Sequence, residues 1–118
     1  MRKRDKMTSI ITGDVINSQK FSPHIWLQKL KLELDSVGKN PLTWEIYRGD
    51  SFQAEVTDPS RALLTAIKIK AAIKSIKEVD VRLAIGIGDK TYETSKITES
   101  NGSAFVYSGE TFESLVKS

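Results

Sequence analysis

The chain has 118 residues, of which 39% are hydrophobic and 28% charged, and its formal net charge is +3. This composition is too rich in branched aliphatic side chains for a disordered chain, and the length suits one domain with a single core. The sequence contains no cysteine and one histidine. This excludes disulfides and the thiolate and imidazole sites typical of zinc, so any metal ion would need oxygen ligands.

The sequence also argues against a membrane protein. No apolar run approaches the roughly 18 residues that span a bilayer, and the basic N-terminus lacks the apolar stretch of a signal peptide. We therefore expect no membrane partner and a cytoplasmic location. Residues 1-7 are expected to form a basic, flexible N-terminal arm, and residues 8-118 a single domain. Because the arm supplies most of the positive charge, nucleic-acid binding is not indicated.

The first predicted elements are a strand and an amphipathic helix. Residues 8–12 are short, β-branched and apolar, which is typical of a buried strand. Ser22 and Pro23 then predict a helix start, as N-cap and first helical residue. Gly38 is expected to end this helix in the left-handed conformation. The apolar face of the helix comprises Leu27, Leu30, Leu34 and Val37.

A hairpin and a second helix follow. Residues 42–48 and 52–56 alternate around Gly49 and Asp50, which predicts two strands joined by a turn, with Trp44 and Ile46 on one face. Asp58-Pro59 then predicts the start of a helix. Its apolar face comprises Ala62, Ala66, Ile69, Ile73 and Ile76.

The last third of the chain predicts a strand, a loop and a helix. Residues 81–87 form a nearly continuous apolar run before Gly88, the pattern of a central strand covered on at least one side. Residues 90–101 are polar and loop-like. A final helix is predicted from Ser103, with Gly109 as its weak point. Because the pattern of residues 109–115 resembles a helix cut early, it is left open whether the chain is a fragment of a longer protein.

This order of elements predicts an α+β fold of the split βαβ, or ferredoxin-like, type, an antiparallel sheet with helices packed on it. In that plan the first strand runs antiparallel beside the third, so the end of the first meets the beginning of the third. Asp14 and Asp50 are therefore expected at the same edge of the sheet. Asp89 ends the fourth strand and is expected at the opposite edge, which excludes it as a metal partner.

Two neighbouring carboxylates repel each other unless they are protonated, hydrogen-bonded or bridged by a cation. With oxygen ligands alone, Mg²⁺ or Mn²⁺ is the natural candidate, held by Asp14, Asp50, the Val15 carbonyl, waters and substrate phosphates. Either aspartate taken alone is also typical of a structural turn, so only their convergence favours a metal site. The polar residues beside them are expected to bind phosphate: Asn17, Ser18 and Gln19 before the first helix, and Arg48, Gly49 and Ser51 in the hairpin. Arg48 and Arg82 are candidates for the positive charge near the phosphates, although each is also typical of a surface residue at a strand edge.

Four blocks of sequence, ITGDVINSQKF, RGDSFQAEV, VRLAIGIGDK and NGSAFVYSGETFESL, resemble in this order the N-terminal domain of the SatD family of bacterial proteins. More distantly, they are similar to the palm domain of class III nucleotidyl cyclases and diguanylate cyclases. The resemblance implies a palm-type sheet in which Asp14 and Asp50 hold metal ions on a nucleoside triphosphate. It also implies a homodimer, as in the cyclases, and it places Asn101, Gly102 and Ser103 near the nucleotide.

Departures from the cyclases leave three hypotheses open. Ser51 follows Asp50 where diguanylate cyclases carry an acidic residue, and the final helix shows no Asn and Arg pair of the kind that class III cyclases use. The first hypothesis is metal-dependent nucleotide binding with phosphoryl transfer on a nucleoside triphosphate. The second is a non-catalytic regulatory or sensory domain of the SatD family, which binds without turnover. The third is a purely structural interaction module.

Overall fold

The computed structural model of the chain describes residues 7–18 and 23–117. The predicted N-cap Ser22, the candidate Gln19 and residues 1–6 of the predicted arm lie outside the described residues. The main elements are β1 (Met7–Ile16), α1 (Pro23–Asp35), β2 (Trp44–Tyr47), β3 (Ser51–Val56), α2 (Ala62–Lys74), β4 (Asp80–Asp89) and α3 (Ser103–Lys117). Short 3₁₀ turns at Pro59–Arg61 and Ile97–Glu99 precede α2 and α3, respectively.

The four strands form one sheet in the order β2-β3-β1-β4, and every neighbouring pair is antiparallel. At one end of the sheet Asp14 lies opposite Ser51 of β3 and Arg82 of β4. At the other end Met7 lies opposite Asp89. We call these the Asp14 end and the Asp89 end. The predicted separation of Asp89 from Asp14 is confirmed, as is the α+β class with an antiparallel sheet.

Helices cover both faces of the sheet because the strands carry apolar residues on both. On one face α1 and α2 pack on alternate strand residues, and on the other face α3 packs on β1 and β4. Leu30 and Leu34 of α1 and Ile69 and Ile73 of α2 are buried as their spacing predicts. A smaller cluster lies under α3: Ile10, Ile97, Ala104 and Phe105. No helix in the described ranges is long and apolar enough to cross a membrane.

Two strands differ from the prediction. β1 continues to Ile16 instead of stopping at Thr12, since its last four residues stay paired with β4. Asp14 therefore lies inside the strand, with its backbone fixed by the ladder. β4 is an edge strand and not a central one. Its apolar run has a different cause: α2 covers one of its faces and α3 covers the other.

The end of α1 also differs from the prediction, because Gly38 does not adopt a positive φ. The helix closes through the N–H groups of Val37 and Gly38, which donate to the Leu34 carbonyl at 3.0 and 3.3 Å. Glycine is required here for space: a Cβ at this position would lie 2.5 Å from the Thr43 side chain. The Gly38 carbonyl also accepts the indole N–H of Trp44 at 3.0 Å.

The position of α3 depends on a glycine in β4. A Cβ on Gly86 would lie 2.3 Å from the Ala104 carbonyl oxygen and 2.3 Å from the Ser108 nitrogen, so the helix backbone rests directly on the strand. The hydroxyls of Ser108 and Thr12 are 3.0 Å apart and buried, which ties the helix to β1 as well. Farther along, α3 leaves β4 and passes over β1 towards the β2–β3 half of the sheet.

Candidate functional site

The Asp14 end brings the two predicted metal ligands onto neighbouring strands. Asp14 is paired in register with Ser51, so the residue before Ser51, Asp50, lies at the same edge. The N–H of Val15 donates to the Asp50 carbonyl at 2.9 Å, which extends the β1–β3 ladder to the turn. The two aspartates, 35 intervening residues apart in the sequence, are thus held at one edge by backbone pairing, as the topology predicts.

Arg82 binds the Asp14 carboxylate through two hydrogen bonds. Its Nε donates to Oδ1 at 3.0 Å and its Nη2 donates to Oδ2 at 2.8 Å. The Asp14 side chain is 19% exposed and that of Arg82 36%. Hydrogen bonding to Asp14 raises the pKa of Arg82 above its ordinary value, against the opposing effect of burial. The repulsion that we expected a cation to relieve is therefore relieved first by Arg82.

Ser18 binds Asp50. Its hydroxyl donates to Asp50 Oδ2 at 2.9 Å, and its carbonyl accepts the Trp26 indole N–H at 3.2 Å. Ser18 is buried, so it connects the turn of the hairpin to the core under α1. Among the described residues, the other carboxylate oxygen of Asp50 has no hydrogen-bond partner. Ser18, expected to bind phosphate, here positions the Asp50 carboxylate.

The other predicted phosphate ligands point in different directions. Asn17 has a φ of 64° and donates its amide to the Glu78 carbonyl at 2.9 Å, towards the loop before β4. Arg48 and Gly49 have φ of 54° and 85°, which form the hairpin turn. The Arg48 guanidinium lies 5.9 Å from the centre of the Tyr47 ring, within cation–π distance.

Val15 contributes no side chain to the edge, because that side chain is buried in the core. Its backbone N–H is used by Asp50, as described above. The predicted role of its carbonyl oxygen stays a prediction.

A groove of about 500 Å³ opens beside this edge, between α3 and the β2–β3 half of the sheet. Asp14 and Thr12 alternate onto the face that the groove occupies. Burial raises the pKa of Tyr47 above its ordinary value, the positive charge of Arg48 opposes this rise, and the negative charge of Asp14 adds to it. The α3 groove is lined by Thr12, Tyr47, Arg48, Ser51 and Gln53 and, from α3, by Gly109, Phe112, Glu113, Val116 and Lys117.

Asn101, Gly102 and Ser103 lie at the Asp89 end, so the structure does not bring them together with Asp14 and Asp50. The Ser103 hydroxyl accepts the Asp89 N–H at 2.7 Å. Gly102 has a φ of 149°, and a Cβ on it would lie 2.2 Å from the Asp89 carbonyl oxygen. These contacts join the start of α3 to the end of β4.

A buried ion pair, which the sequence analysis missed, also lies at the Asp89 end. Glu55 accepts the Thr8 hydroxyl at 2.6 Å and the Lys90 ammonium at 2.7 Å, and its side chain is 7% exposed. Burial by itself lowers the pKa of Lys90, but Glu55 and the nearby Glu93 raise it above its ordinary value. The sequence does contain a signal for this pair, the alternation of side chains along β3. Glu55 lies on the polar face of that strand, the same face of the sheet as Thr8.

The sequence analysis expected Arg82 near the phosphates, and the same signal indicates its partner in the structure, Asp14. It interrupts an apolar run at a position that the antiparallel register places directly opposite Asp14. An arginine and an aspartate on opposed positions of two strands are a typical cross-strand ion pair.

The edge fits a divalent cation only in part. The described ranges contain no cluster of three or more His, Cys, Asp or Glu side chains able to hold a metal. Mg²⁺, however, is commonly held by one or two carboxylates, waters and substrate phosphates. Asp50 with one free oxygen, and Asp14 after release from Arg82, match that second mode. The donor set suits an ion that arrives with a phosphate ligand.

Comparison with protein-family models gave no match for this chain. Comparison with curated proteins gave no match either.

Proposed function

We propose that the chain is a nucleotide-binding domain whose ligand lies at the Asp14 end, with its phosphates joined to Asp14 and Asp50 by Mg²⁺ or Mn²⁺. The observation that carries the proposal is the backbone pairing that holds both aspartates at one sheet edge, beside an open groove that their neighbours Thr12 and Ser51 line. A volume of about 500 Å³ is in the range of small-molecule sites. Tyr47 and Phe112 offer apolar surface for a base, and Arg48 and Lys117 offer positive charge for phosphates.

We also propose that the fold is the ferredoxin-like palm plan and that the chain is related to the SatD N-terminal domain. The strand order β2-β3-β1-β4, with all neighbours antiparallel, supports the split βαβ plan. In this respect the sheet agrees with the resemblance to cyclase palms. The position of Asn101, Gly102 and Ser103 at the Asp89 end gives no support to their implied contact with the nucleotide.

In this proposal Arg82 exchanges partners when the ligand binds. A bound cation supplies the positive charge that links the carboxylates to phosphate oxygens. The Arg82 guanidinium, released from Asp14, then remains at the same edge as a bidentate donor for phosphate. Ser18 holds Asp50 in place throughout, because its own carbonyl is fixed by Trp26.

We favour binding without turnover, the regulatory alternative, over phosphoryl transfer. Catalysis by two metal ions requires carboxylates that are free to hold both ions. Here Arg82 occupies both oxygens of Asp14, and Ser51 stands where a further acidic residue would strengthen the site. An edge with so little free negative charge suits one loosely held cation.

The experiment is isothermal titration calorimetry of the whole chain with a non-hydrolysable nucleoside triphosphate, with and without Mg²⁺ or Mn²⁺. The wild type should bind only when the divalent ion is present. The Asp50→Asn variant keeps the size of the side chain and the bond from Ser18, and it should weaken binding by about tenfold or more because a charge-assisted contact is lost. Glu110→Gln, an exposed position on α3, is the matched control and should bind like the wild type.

Three outcomes would overturn this proposal. One is the absence of binding by folded wild-type protein with every nucleoside triphosphate. Another is equal binding by wild type and Asp50→Asn. The third is release of pyrophosphate or a cyclic product from hydrolysable triphosphates, which would establish the phosphoryl-transfer hypothesis in place of the regulatory one.

A further inference from the structure

The outer edge of β4 is long and open over its centre. The strand has ten residues and pairs with β1 on one side only. In an antiparallel ladder the backbone groups of alternate residues point to opposite sides of the strand. The Val81 carbonyl accepts a hydrogen bond from the Lys70 ammonium at 2.7 Å, and the Asp89 N–H donates to the Ser103 hydroxyl. The backbone N–H and C=O groups of the odd-numbered residues of β4 therefore point away from β1.

Side chains cap this outer edge at both ends but not in the middle. Lys70 caps it at Val81, and Ser103 caps it at Asp89. Between them, the outward N–H and C=O groups of Leu83, Ile85 and Ile87 have no hydrogen-bond partner among the described residues. Unpaired edges of this length are templates for pairing with another strand, and natural sheets usually cover or charge them.

The open groups are symmetric about Ile85, and from this we propose that β4 pairs antiparallel with β4 of a second copy of the chain. A two-fold axis at Ile85 places Ile85 of one copy opposite Ile85 of the other. It also places Leu83 of each copy opposite Ile87 of the other. Each of these pairs exchanges two hydrogen bonds, which satisfies every open group. The next pair, Val81 with Asp89, is the pair already capped within each chain. The register that satisfies the edge is thus self-complementary, as an isologous dimer requires.

The helix beside this edge presents a matching apolar surface. Leu63 and Ile67 of α2 are 64% and 54% exposed, and Ile87 of β4 is 45% exposed. Leu63 and Ile67, together with Leu83 and Ile85 of β4, line a shallow apolar groove of about 290 Å³. Because α2 lies over β4 and β1, the two α2 helices of the dimer would be about two strand spacings apart, roughly 10 Å, which is a normal distance for packed helices.

Charge complementarity supports the same register. The Asp89 side chain alternates onto the face that α2 covers, and its carboxylate has no partner within the described residues. In the dimer it lies opposite Val81 of the second copy, whose carbonyl holds the Lys70 ammonium. Within its own chain Lys70 is ion-paired with Asp80 at 2.9 Å, and its side chain is 45% exposed, so the Asp89 carboxylate of the second copy would join an existing pair. The two-fold axis produces this Asp89–Lys70 contact twice, once at each end of the seam.

The dimer does not depend on the nucleotide proposal, since the edge of β4 shares no residue with the α3 groove. Its test is sedimentation velocity of the whole chain from micromolar to submillimolar concentration, with amide hydrogen exchange of β4. The wild type should form dimers as the concentration rises, and the amides of Leu83, Ile85 and Ile87 should become protected over the same range.

Two variants should move the equilibrium. Ile87→Lys and Leu63→Lys change exposed side chains at the seam, one on the strand and one on the helix, and each should raise the dimer dissociation constant by about tenfold or more because a charge is placed in an apolar contact. Leu32→Lys, on α1, is the matched control. Leu32 is 70% exposed and away from the seam, so this variant should dimerise like the wild type.

Several results would overturn the dimer. One is a wild type that stays monomeric at every concentration. Another is dissociation constants unchanged in both Ile87→Lys and Leu63→Lys. A monomer with protected β4 amides would mean that another part of the same chain covers the edge. Oligomers larger than two would mean that the contact does not close about a two-fold axis.

Discussion

Both carboxylate oxygens of Asp14 accept hydrogen bonds from Arg82, and this ion pair determines what the Asp14 end can bind. A bidentate arginine is a stronger partner than a lysine at the same distance, because its planar fork matches the two oxygens. A cation therefore competes with Arg82 for Asp14. Asp50, held by one serine hydroxyl, is the easier of the two carboxylates to reach.

Replacing Arg82 should separate its structural role from its effect on the metal. Arg82→Ala leaves Asp14 without its two charge-assisted bonds and should lower the free energy of unfolding by about 1 kcal/mol, near the upper limit for exposed ion pairs. The same change should strengthen Mn²⁺ binding, since the competing charge is gone. Urea unfolding and Mn²⁺ titration measure the two effects.

The control for Arg82→Ala is Arg61→Ala, which removes an exposed arginine at the start of α2. It should change neither quantity appreciably. Weaker Mn²⁺ binding by Arg82→Ala would mean that the arginine supports the ion site instead of competing with it.

Glu55 and Lys90 form the more deeply buried ion pair, and its pH dependence has a definite sign. Glu55 raises the folded-state pKa of Lys90 above its ordinary value of 10.5, even though burial alone would lower it. The stabilisation is therefore complete below about pH 10.5 and is lost as the pH rises through the higher folded pKa. We expect the wild type to lose stability in this alkaline range, as followed by urea unfolding at a series of pH values.

Lys90→Met should remove that alkaline loss, because the titrating group is gone. At neutral pH it should lower the free energy of unfolding by about 3 kcal/mol, since it leaves the Glu55 carboxylate buried without its cation. Lys96→Met, at a lysine whose side chain is 47% exposed, is the control and should cost far less. An alkaline loss that persists unchanged in Lys90→Met would assign it to another group.

At the scale of elements, two glycines affect α3 for different reasons. Gly86 allows the helix to pack closely on β4, whereas Gly109 lowers the helix propensity of α3 itself. Gly86→Ala puts a methyl group against the backbone of α3 and should destabilise the fold by about 1–3 kcal/mol through overpacking. Gly109→Ala meets no atom within 4 Å and lies inside the helix, so it should stabilise the fold by about 0.5–1 kcal/mol. Urea unfolding of the two variants tests both signs.

The opposite pattern would contradict this account of α3. If Gly109→Ala destabilised the protein, the glycine would be needed for a contact at the α3 groove. If Gly86→Ala were neutral, the helix would not rest on the strand as closely as described.

The sequence predicts elements wherever a local pattern decides the structure. The helices at Leu30 and Ile69 and the hairpin at Gly49 follow from periodicity and turn chemistry alone. The position of β4 at the edge could not be predicted from its apolar run, because helices on both faces give the same pattern as neighbouring strands on both sides. The predicted left-handed conformation of Gly38 is wrong for a similar reason: the glycine is needed because the Thr43 side chain lies against it, and only the folded chain brings the two together.

The candidate site was predictable as far as backbone register decides it. The proximity of Asp14 and Asp50 follows from topology. The partners of their side chains do not, because a carboxylate at a strand edge can bind a metal ion, an arginine or a hydroxyl, and the local sequence does not say which of these is near. The resemblance implied that residues 101–103 lie near the nucleotide, and this could not be checked from the sequence block alone. The sheet places these residues at the Asp89 end, where the Ser103 hydroxyl accepts the Asp89 N–H.

At the scale of the whole molecule, β1 is the structural centre. It pairs with both β3 and β4. At one end its Asp14 forms an ion pair with Arg82 of β4, and at the other end its Thr8 donates a hydrogen bond to Glu55 of β3, which is the ion-pair partner of Lys90. The proposed nucleotide site uses one of these ends, and the proposed dimer uses the outer edge of β4. Ligand binding and dimerisation should therefore stabilise the folded chain independently of each other.

A thermal unfolding experiment can measure the stabilisation by nucleotide and the stabilisation by dimerisation together. A ligand at about 100 times its dissociation constant stabilises the folded state by about 2.7 kcal/mol, and dimerisation makes the unfolding temperature rise with protein concentration. Ile87→Lys should keep the shift caused by nucleotide and Mg²⁺ but lose the dependence on protein concentration. Asp50→Asn should do the reverse. If one variant abolished both effects, the two sites would be coupled through β1, and the account of independent sites would be wrong.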